Sequence, residues 1–196
     1  MTLAEQRTLM RSGQMYNDLT DELVQARART VLLTNEYNAS FSRPAGEREQ
    51  ILGSLLGGLG RGVHFEPTLR CEFGFNVVIG DNFYANFDCV LLDGGGITVG
   101  DNVLFGPRVS VYTSNHAFDA EERVRGGCYA KPVSIGSNTW VGGGVTINPG
   151  VAVGADVIIG SGSVVTRSIP DGMLAAGVPC RVLRPLTDAD KTGFTP

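Results

Sequence analysis

Two histidines, His64 and His116, are the side chains best suited to exchange a proton near neutral pH. His116 stands in the segment YTSNHAF, where the chain departs from a regular repeat. A histidine on a loop beside a rigid scaffold is well placed to act as a general base. It can equally be a surface residue without a role. No Ser-His-Asp elbow and no phosphate-binding loop accompany it. The glycine turn AAGVPC lacks the strand-then-helix setting of a dinucleotide motif. A lone histidine makes no site, so a scaffold must bring other side chains to it.

That scaffold is legible as a period of six. From Ile135 the chain reads IGSNTW, VGGGVT, INPGVA, VGADVI, IGSGSV, VTRSIP. An aliphatic residue opens each hexad, and Ser, Thr, Val or Ile falls at most fifth positions. The same phase appears at Val99, Phe105 and Val111, and another copy starts at Ile79 and continues through Ala85 and Leu91. Six fits neither a helix nor simple strand alternation. It fits a triangular coil with short strands as sides and tight turns as corners, the aliphatic residue pointing inward. Such coils stack in parallel and bury apolar residues against their neighbours. The rhythm breaks twice. Between Asp93 and Thr98 the phase shifts by two, and from Thr113 to Ser134 an excursion leaves the coil and rejoins it in phase at Ile135.

The remaining expectations concern the flanks and the setting. Residues 1–60 read as helical, with an apolar stripe of Leu23, Val24, Ala28, Val31 and Leu32 and a start near Thr20. A second helix is expected from Pro44 to Leu56. This segment is too small for a core of its own and should pack on the β-helix or cap its first coil. Residues 61–185 form the β-helix with its excursion at 113–134, closed by extended pieces near 173–176 and 181–183, and 186–196 form a flexible tail. The net charge of −4 and the lack of any Lys/Arg cluster speak against nucleic acid as a partner. The N-terminus has no apolar signal core and no run is long enough to span a membrane. Four cysteines without a CxxC pair read as ordinary reduced thiols, which points to the cytoplasm.

The segments MRSGQMYN, EPTLRCEFGFNVVIGDNFYANFDCVLLD, TSNHAFD, KPVSIGSNTWVGGGVTINPGVAVG and AAGVPCRVLR together resemble the maltose and galactoside O-acetyltransferases, the sugar-acetylating branch of the hexapeptide-repeat acyltransferases. The resemblance runs from about Leu9 to Arg184. It implies a mainly β fold, a left-handed parallel β-helix with an N-terminal helical segment. It implies a homotrimer with active sites between subunits, acetyl-CoA as co-substrate, no metal, and a sugar acceptor. His116 becomes the general base that takes the proton of a sugar hydroxyl in direct transfer. A Gly143 N–H becomes a candidate oxyanion donor. Gly143, Ser161, Thr166, Arg181 and Arg184 match the acetyl-CoA side, and Asp18, Glu72, Asn86 and Asp93 the acceptor side. Asn86 can alternatively be a corner ladder residue, Asp18 a helix cap, and either arginine merely solvated. Trp140 either packs on the pantetheine arm or covers the outside of a coil. Position 72 is Glu where relatives tend to carry a shorter Asp or Ser, and Gly94 follows Asp93 where galactoside-type relatives carry a second acid. Both departures lie on the acceptor side. Two histidines are too few for the zinc site of hexapeptide-repeat carbonic anhydrases. Rival readings are an acetyltransferase for a nodulation-type oligosaccharide, an antibiotic or serine, and a non-catalytic β-helix scaffold.

Overall fold

The computed structural model describes residues 1–195. The coils form three parallel sheets that are the sides of a prism, of five, five and six strands, the last extended by one antiparallel strand. Each short strand ends on the aliphatic residue of its hexad: Val133–Ile135, Trp140–Val141, Thr146–Ile147, Ala152–Val153, Ile158–Ile159 and Val164–Val165. Those terminal residues are buried, and so is the fifth residue of each hexad, Thr139, Val145, Val151, Val157, Ser163 and Ile169. Two inward side chains per six residues are what a triangular coil requires, since its turns take up the rest. Phe65, Phe83 and Phe105 follow one another along the prism, the first pair tilted and the second edge-on, with successive ring centroids 5.1 Å apart.

The phase shift at Asp93 has a plain geometric origin. Gly58 pairs with Val78 and Val78 with Thr98, twenty residues per coil. Ser134 pairs with Ala152, eighteen residues on. The early coils thus carry two extra residues, at the corner holding Phe73–Asn76 and Asp93–Gly96.

The N-terminal segment contains three helices, α1 (Leu3–Arg11), α2 (Asp21–Ala39) and α3 (Ala45–Leu55). Helix α3 matches its expected range, with Pro44 as its N-cap residue and Leu56 as its C-cap residue. For α2 the expected stripe is corrected. The buried face is Leu23, Ala26, Thr30, Thr34 and Tyr37, while Val24, Val31 and Leu32 are exposed. Small and hydroxylated residues face inward because α2 bonds to the coil beneath it. Thr30 Oγ1 donates to the Phe73 carbonyl at 2.8 Å. The Tyr37 hydroxyl accepts from Phe65 N and donates to Phe65 O, both at 3.1 Å. The Asn38 amide bonds in the same two-way manner to Leu69 O at 3.0 Å and Leu69 N at 2.8 Å. These side chains satisfy the first coil's backbone as a paired strand would.

At the other end, Met173–Gly177 and Cys180–Pro185 form an antiparallel hairpin on the last coil. The segment expected as a flexible tail begins with a 3₁₀ turn, Asp188–Asp190, anchored by Arg184 Nη2 on Asp190 Oδ1 at 2.6 Å. The rest of that expectation includes Pro196, which lies outside the described residues. No helix among the described residues is long and apolar enough to cross a membrane.

Candidate active site

The excursion is an ordered hairpin rather than a plain loop. Ser114–His116 pairs antiparallel with Gly127–Ala130, which in turn pairs with Tyr16–Asn17. A short helix, α4 (Ala120–Val124), joins the hairpin strands, with the Asp119 side chain accepting from Glu122 N. The base of the hairpin is pinned by Thr113, whose buried hydroxyl donates to Leu92 O at 2.6 Å and accepts from Gly95 N at 2.8 Å. Beneath this small sheet lies a second core of Met10, Tyr16, Leu23, Ala26, Phe73, Cys128 and Ala130. The N-terminal segment therefore does more than cap the prism, since it braces the strand Gly127–Ala130 on which the His116 strand is paired.

His116 opens onto a cavity of about 380 Å³ together with Asp18, Glu72, Leu92, Tyr112, Ser114, Asn115, Cys128, Asn148 and Pro149. Asp18 and Glu72, proposed from sequence as acceptor contacts, thus meet the candidate base. Asp18 is not a helix cap, for Thr20 is the N-cap residue of α2. Asp18 is instead ion-paired with Arg27, which also donates through Nε to Glu72 Oε1 at 3.2 Å. Glu72 Oε2 accepts from the Ser114 hydroxyl at 3.4 Å. Gly94, one of the two departures, stands against Ser114: a Cβ there would lie 2.5 Å from Ser114 Oγ. Ser114 thus occupies the space a larger residue at position 94 would need.

Burial pushes the Glu72 carboxyl up to about 7, with Arg27 opposing the rise and the charges of Asp18 and Asp93 adding to it. Through the window from about pH 4.3 to 7, the folded protein keeps a proton that the unfolded chain releases. Stability contributed by the protonated form is therefore lost as pH rises through that window. Glu72→Gln, which mimics the protonated form, is expected to raise the unfolding midpoint at pH 8 by the equivalent of about 1–3 kcal/mol and to change it little at pH 5. Thermal melts at the two pH values check this, and equal effects at both would refute it.

Asp93 is corrected. It is fully buried. Its Oδ1 accepts from Phe73 N at 2.8 Å and Gly74 N at 3.1 Å, and its Oδ2 from Asn76 N at 3.1 Å. It closes the long corner and is not a wall of the cavity.

The other residues lie elsewhere on the prism. Glu72, Asn148 and Thr166 each follow a strand of one sheet, Leu92 and Tyr112 end one, and all five line one corner. Asn86, Gly106, Gly142 and Gly160 follow strands of the neighbouring sheet and line the next corner, where Gly143 and Ser161 also sit. Asn86 is no ladder residue: its Oδ1 accepts from Phe87 N at 2.8 Å, while the asparagine ladder runs through Asn82, Asn102 and Asn138 on the third corner. Successive turns touch at the Gly143 corner, where Cβ atoms on Gly106 and Gly142 would fall 2.5 Å from Gly143 N and 2.7 Å from Ser161 N. Among the described residues, the N–H groups of Gly143 and Ser161 have no intramolecular acceptor. Arg181 is exposed and has no carboxylate partner among the described residues, whereas Arg184 holds Asp190 with both Nη atoms. Trp140 is exposed on the outer side of a coil, beside Leu104.

Sequence reasoning missed Arg27, Ser114 and Tyr16. Tyr16 lies under the cavity and accepts from Cys128 Sγ at 3.3 Å. No local signal marks any of them, because each is defined by a contact to a distant segment.

Comparison with known proteins places the chain in a family. The family model described as maltose acetyltransferase hexapeptide capping motif matches residues 9–60, and the bacterial transferase hexapeptide model matches 132–167. The galactoside O-acetyltransferase of Escherichia coli is 40% identical over 93% of this chain and 90% of its own. The chain belongs to the maltose and galactoside O-acetyltransferase family of hexapeptide-repeat acetyltransferases. A solved maltose O-acetyltransferase from Clostridium difficile superposes on this acetyltransferase with a TM-score of 0.90 at 41% identity, covering 96% of this chain and 99% of that one. A galactoside acetyltransferase solved in complex with coenzyme A gives a TM-score of 0.89 at 38% identity, covering 97% and 94%.

Proposed function

We propose that this acetyltransferase moves acetyl from acetyl-CoA to a hydroxyl of a sugar of the maltose, glucose or galactoside type, at sites shared between the copies of a homotrimer. The observation that carries the reading is the division of the site within one chain. His116, Asp18 and Glu72 share one cavity, while Asn86, Gly143 and Ser161 lie one side of the prism away. Two half-sites on different corners become one when the His116 corner of one copy faces the Gly143 corner of another. The relatives named as galactoside and maltose O-acetyltransferases, one of them solved with coenzyme A, support the substrate pair.

The Gly143 corner fits a CoA thioester. Glycines let a ligand approach the backbone, and among the described residues two N–H groups there have no acceptor and Arg181 has no carboxylate partner to keep its charge from a phosphate. Acetyl-CoA supplies the activated acyl group. His116 takes the acceptor proton at an imidazole nitrogen as the new ester bond forms and returns it to the sulfur as the C–S bond breaks. Asp18 and Glu72 accept hydrogen bonds from sugar hydroxyls and orient the reacting one. The Gly143 N–H faces the carbonyl oxygen on which charge develops. The unpaired cysteines support a reducing, cytoplasmic setting.

The test is acetyl-CoA-dependent release of free thiol with a panel of glucosides, galactosides and maltose, together with the mass in solution. Turnover of at least one sugar and a mass near three times 20.8 kDa are expected. A mass of one chain would remove the shared site, and inertness toward every sugar would remove the acceptor class.

A further inference from the structure

Among the described residues, Arg27 is the one cation bonded to the two carboxylates of the His116 cavity. It reaches there from α2, while Asp18 comes from the segment before that helix and Glu72 from a corner of the β-helix. Nη2 bonds to Asp18 Oδ1, Nη1 donates to the Asp18 carbonyl at 3.0 Å, and Nε donates to Glu72 Oε1 at 3.2 Å. The guanidinium carbon lies 4.9 Å from the centre of the Phe73 ring, which fixes its plane. All three side chains are largely withdrawn from water, at 26%, 18% and 15% exposure for Arg27, Asp18 and Glu72.

We infer that Arg27 is the positioning residue of the acceptor wall, holding the Asp18 and Glu72 carboxylates in one fixed arrangement by a forked set of hydrogen bonds. The inference rests on the sugar-acetylating reading above. Arg27 acts through its two partners rather than on the reacting atoms. Two carboxylates confined together repel, so without the guanidinium they turn apart or one takes up a proton. In either case the acceptor loses fixed hydrogen-bond acceptors, while the Gly143 corner is untouched. The groups around Glu72 are Asp18, Ser114, Cys128 and His116 on the cavity lining, with Arg27, Asp93 and Tyr16 behind it. Arg27 is the one cation among those that lowers the proton affinity of Glu72. Its removal must move any Glu72-dependent step to higher pH. A lysine keeps the charge but cannot form the fork or stack its plane on Phe73.

The experiment is steady-state kinetics of Arg27→Gln, Arg27→Lys, Glu72→Gln and the Arg27→Gln/Glu72→Gln double variant on the best sugar, with CoA binding by calorimetry and melting curves alongside. Arg27→Gln is expected to raise the acceptor KM by about tenfold or more, as loss of charge-assisted hydrogen bonds does. CoA affinity should stay within about twofold, since no contact of Arg27 touches that corner. The pH at which acceptor KM changes should move upward in Arg27→Gln and vanish in Glu72→Gln. Arg27→Lys should fall between wild type and Arg27→Gln, and the double variant should lose less than the two single effects combined. Unchanged KM and pH profile in Arg27→Gln, or parallel loss of CoA affinity and melting temperature, overturns the inference while leaving sugar turnover by the wild type intact. A wild type that binds CoA but acetylates no sugar overturns the underlying reading and this one with it. Should Arg27→Gln fail to fold, Arg27→Lys in the wild-type and Glu72→Gln backgrounds decides. A KM effect at least about threefold smaller in the second background supports the clamp, and equal effects refute it.

Discussion

His116→Ala is expected to lower kcat at least about a hundredfold, within the range a general base contributes, while leaving CoA affinity unchanged. A sugar hydroxyl is a poor nucleophile until its proton has somewhere to go, and the cavity offers few destinations. Burial pushes the Tyr16 hydroxyl and the Cys128 thiol upward, so both stay protonated and cannot accept. Asp18 is committed to Arg27. Glu72 is the serious competitor, because burial places it at about 7, where a base is also useful. Yet one Glu72 oxygen is bonded to Arg27 and the other to Ser114. His116 is exposed and makes no side-chain hydrogen bond among the described residues, which leaves both ring nitrogens for the acceptor and the leaving sulfur. The two candidates separate cleanly in kcat on a saturating sugar. Loss in His116→Ala with retention in Glu72→Gln supports the histidine. The reverse pattern would move the proton transfer to Glu72.

The largest stability effect is expected at Asp93. Replacing it with Ala leaves the N–H groups of Phe73, Gly74 and Asn76 without their acceptor in a buried corner. Unsatisfied buried donors cost about 1–3 kcal/mol each, with incomplete additivity, so a total above about 3 kcal/mol is expected. For a chain of this size that lowers the unfolding midpoint by roughly 6–12 °C. Asp93→Asn is instructive, because its amide can accept at one position but presents a donor to the third N–H. It should be destabilised too, while the molecules that remain folded bind sugar with the wild-type KM. A full melting temperature with a raised acceptor KM would return Asp93 to the acceptor side. Melting curves with activity measured on the folded fraction decide between the two.

What the sequence made legible follows from how local each feature is. The coil is written six residues at a time, and the hexads from Ile135 onward align with the observed strands. Helix α3 was bounded by its own proline and glycines. The face of α2 differs from the expected stripe because its inner side is chosen by the coil: Thr30 and Tyr37 face inward and bond to the coil backbone, and Val31 and Leu32 are left outside. The function of Asp93 was misread for a related reason. Its partners are seventeen to twenty residues back, on the preceding turn, and nothing in DGGG announces them. His116 could be singled out by type and place. Its meeting with Asp18 depends on Tyr16 pairing with Cys128, 112 residues away, and no periodicity encodes that contact.

A stack of parallel coils is in principle a template for its own continuation, since each turn leaves the same row of free N–H and C=O groups for another chain to occupy. This protein closes both ends by chemistry unlike its repeat. At the start, Tyr37 and Asn38 fill the backbone valences of Phe65 and Leu69 with side-chain groups that offer no onward register. At the finish, the hairpin of Met173–Gly177 and Cys180–Pro185 reverses direction, so its outer strand runs antiparallel to every turn it would have to seed. The barrier to end-on addition of another chain thus lies in a handful of residues at the ends of the prism, and the repeats between them are free to stay regular.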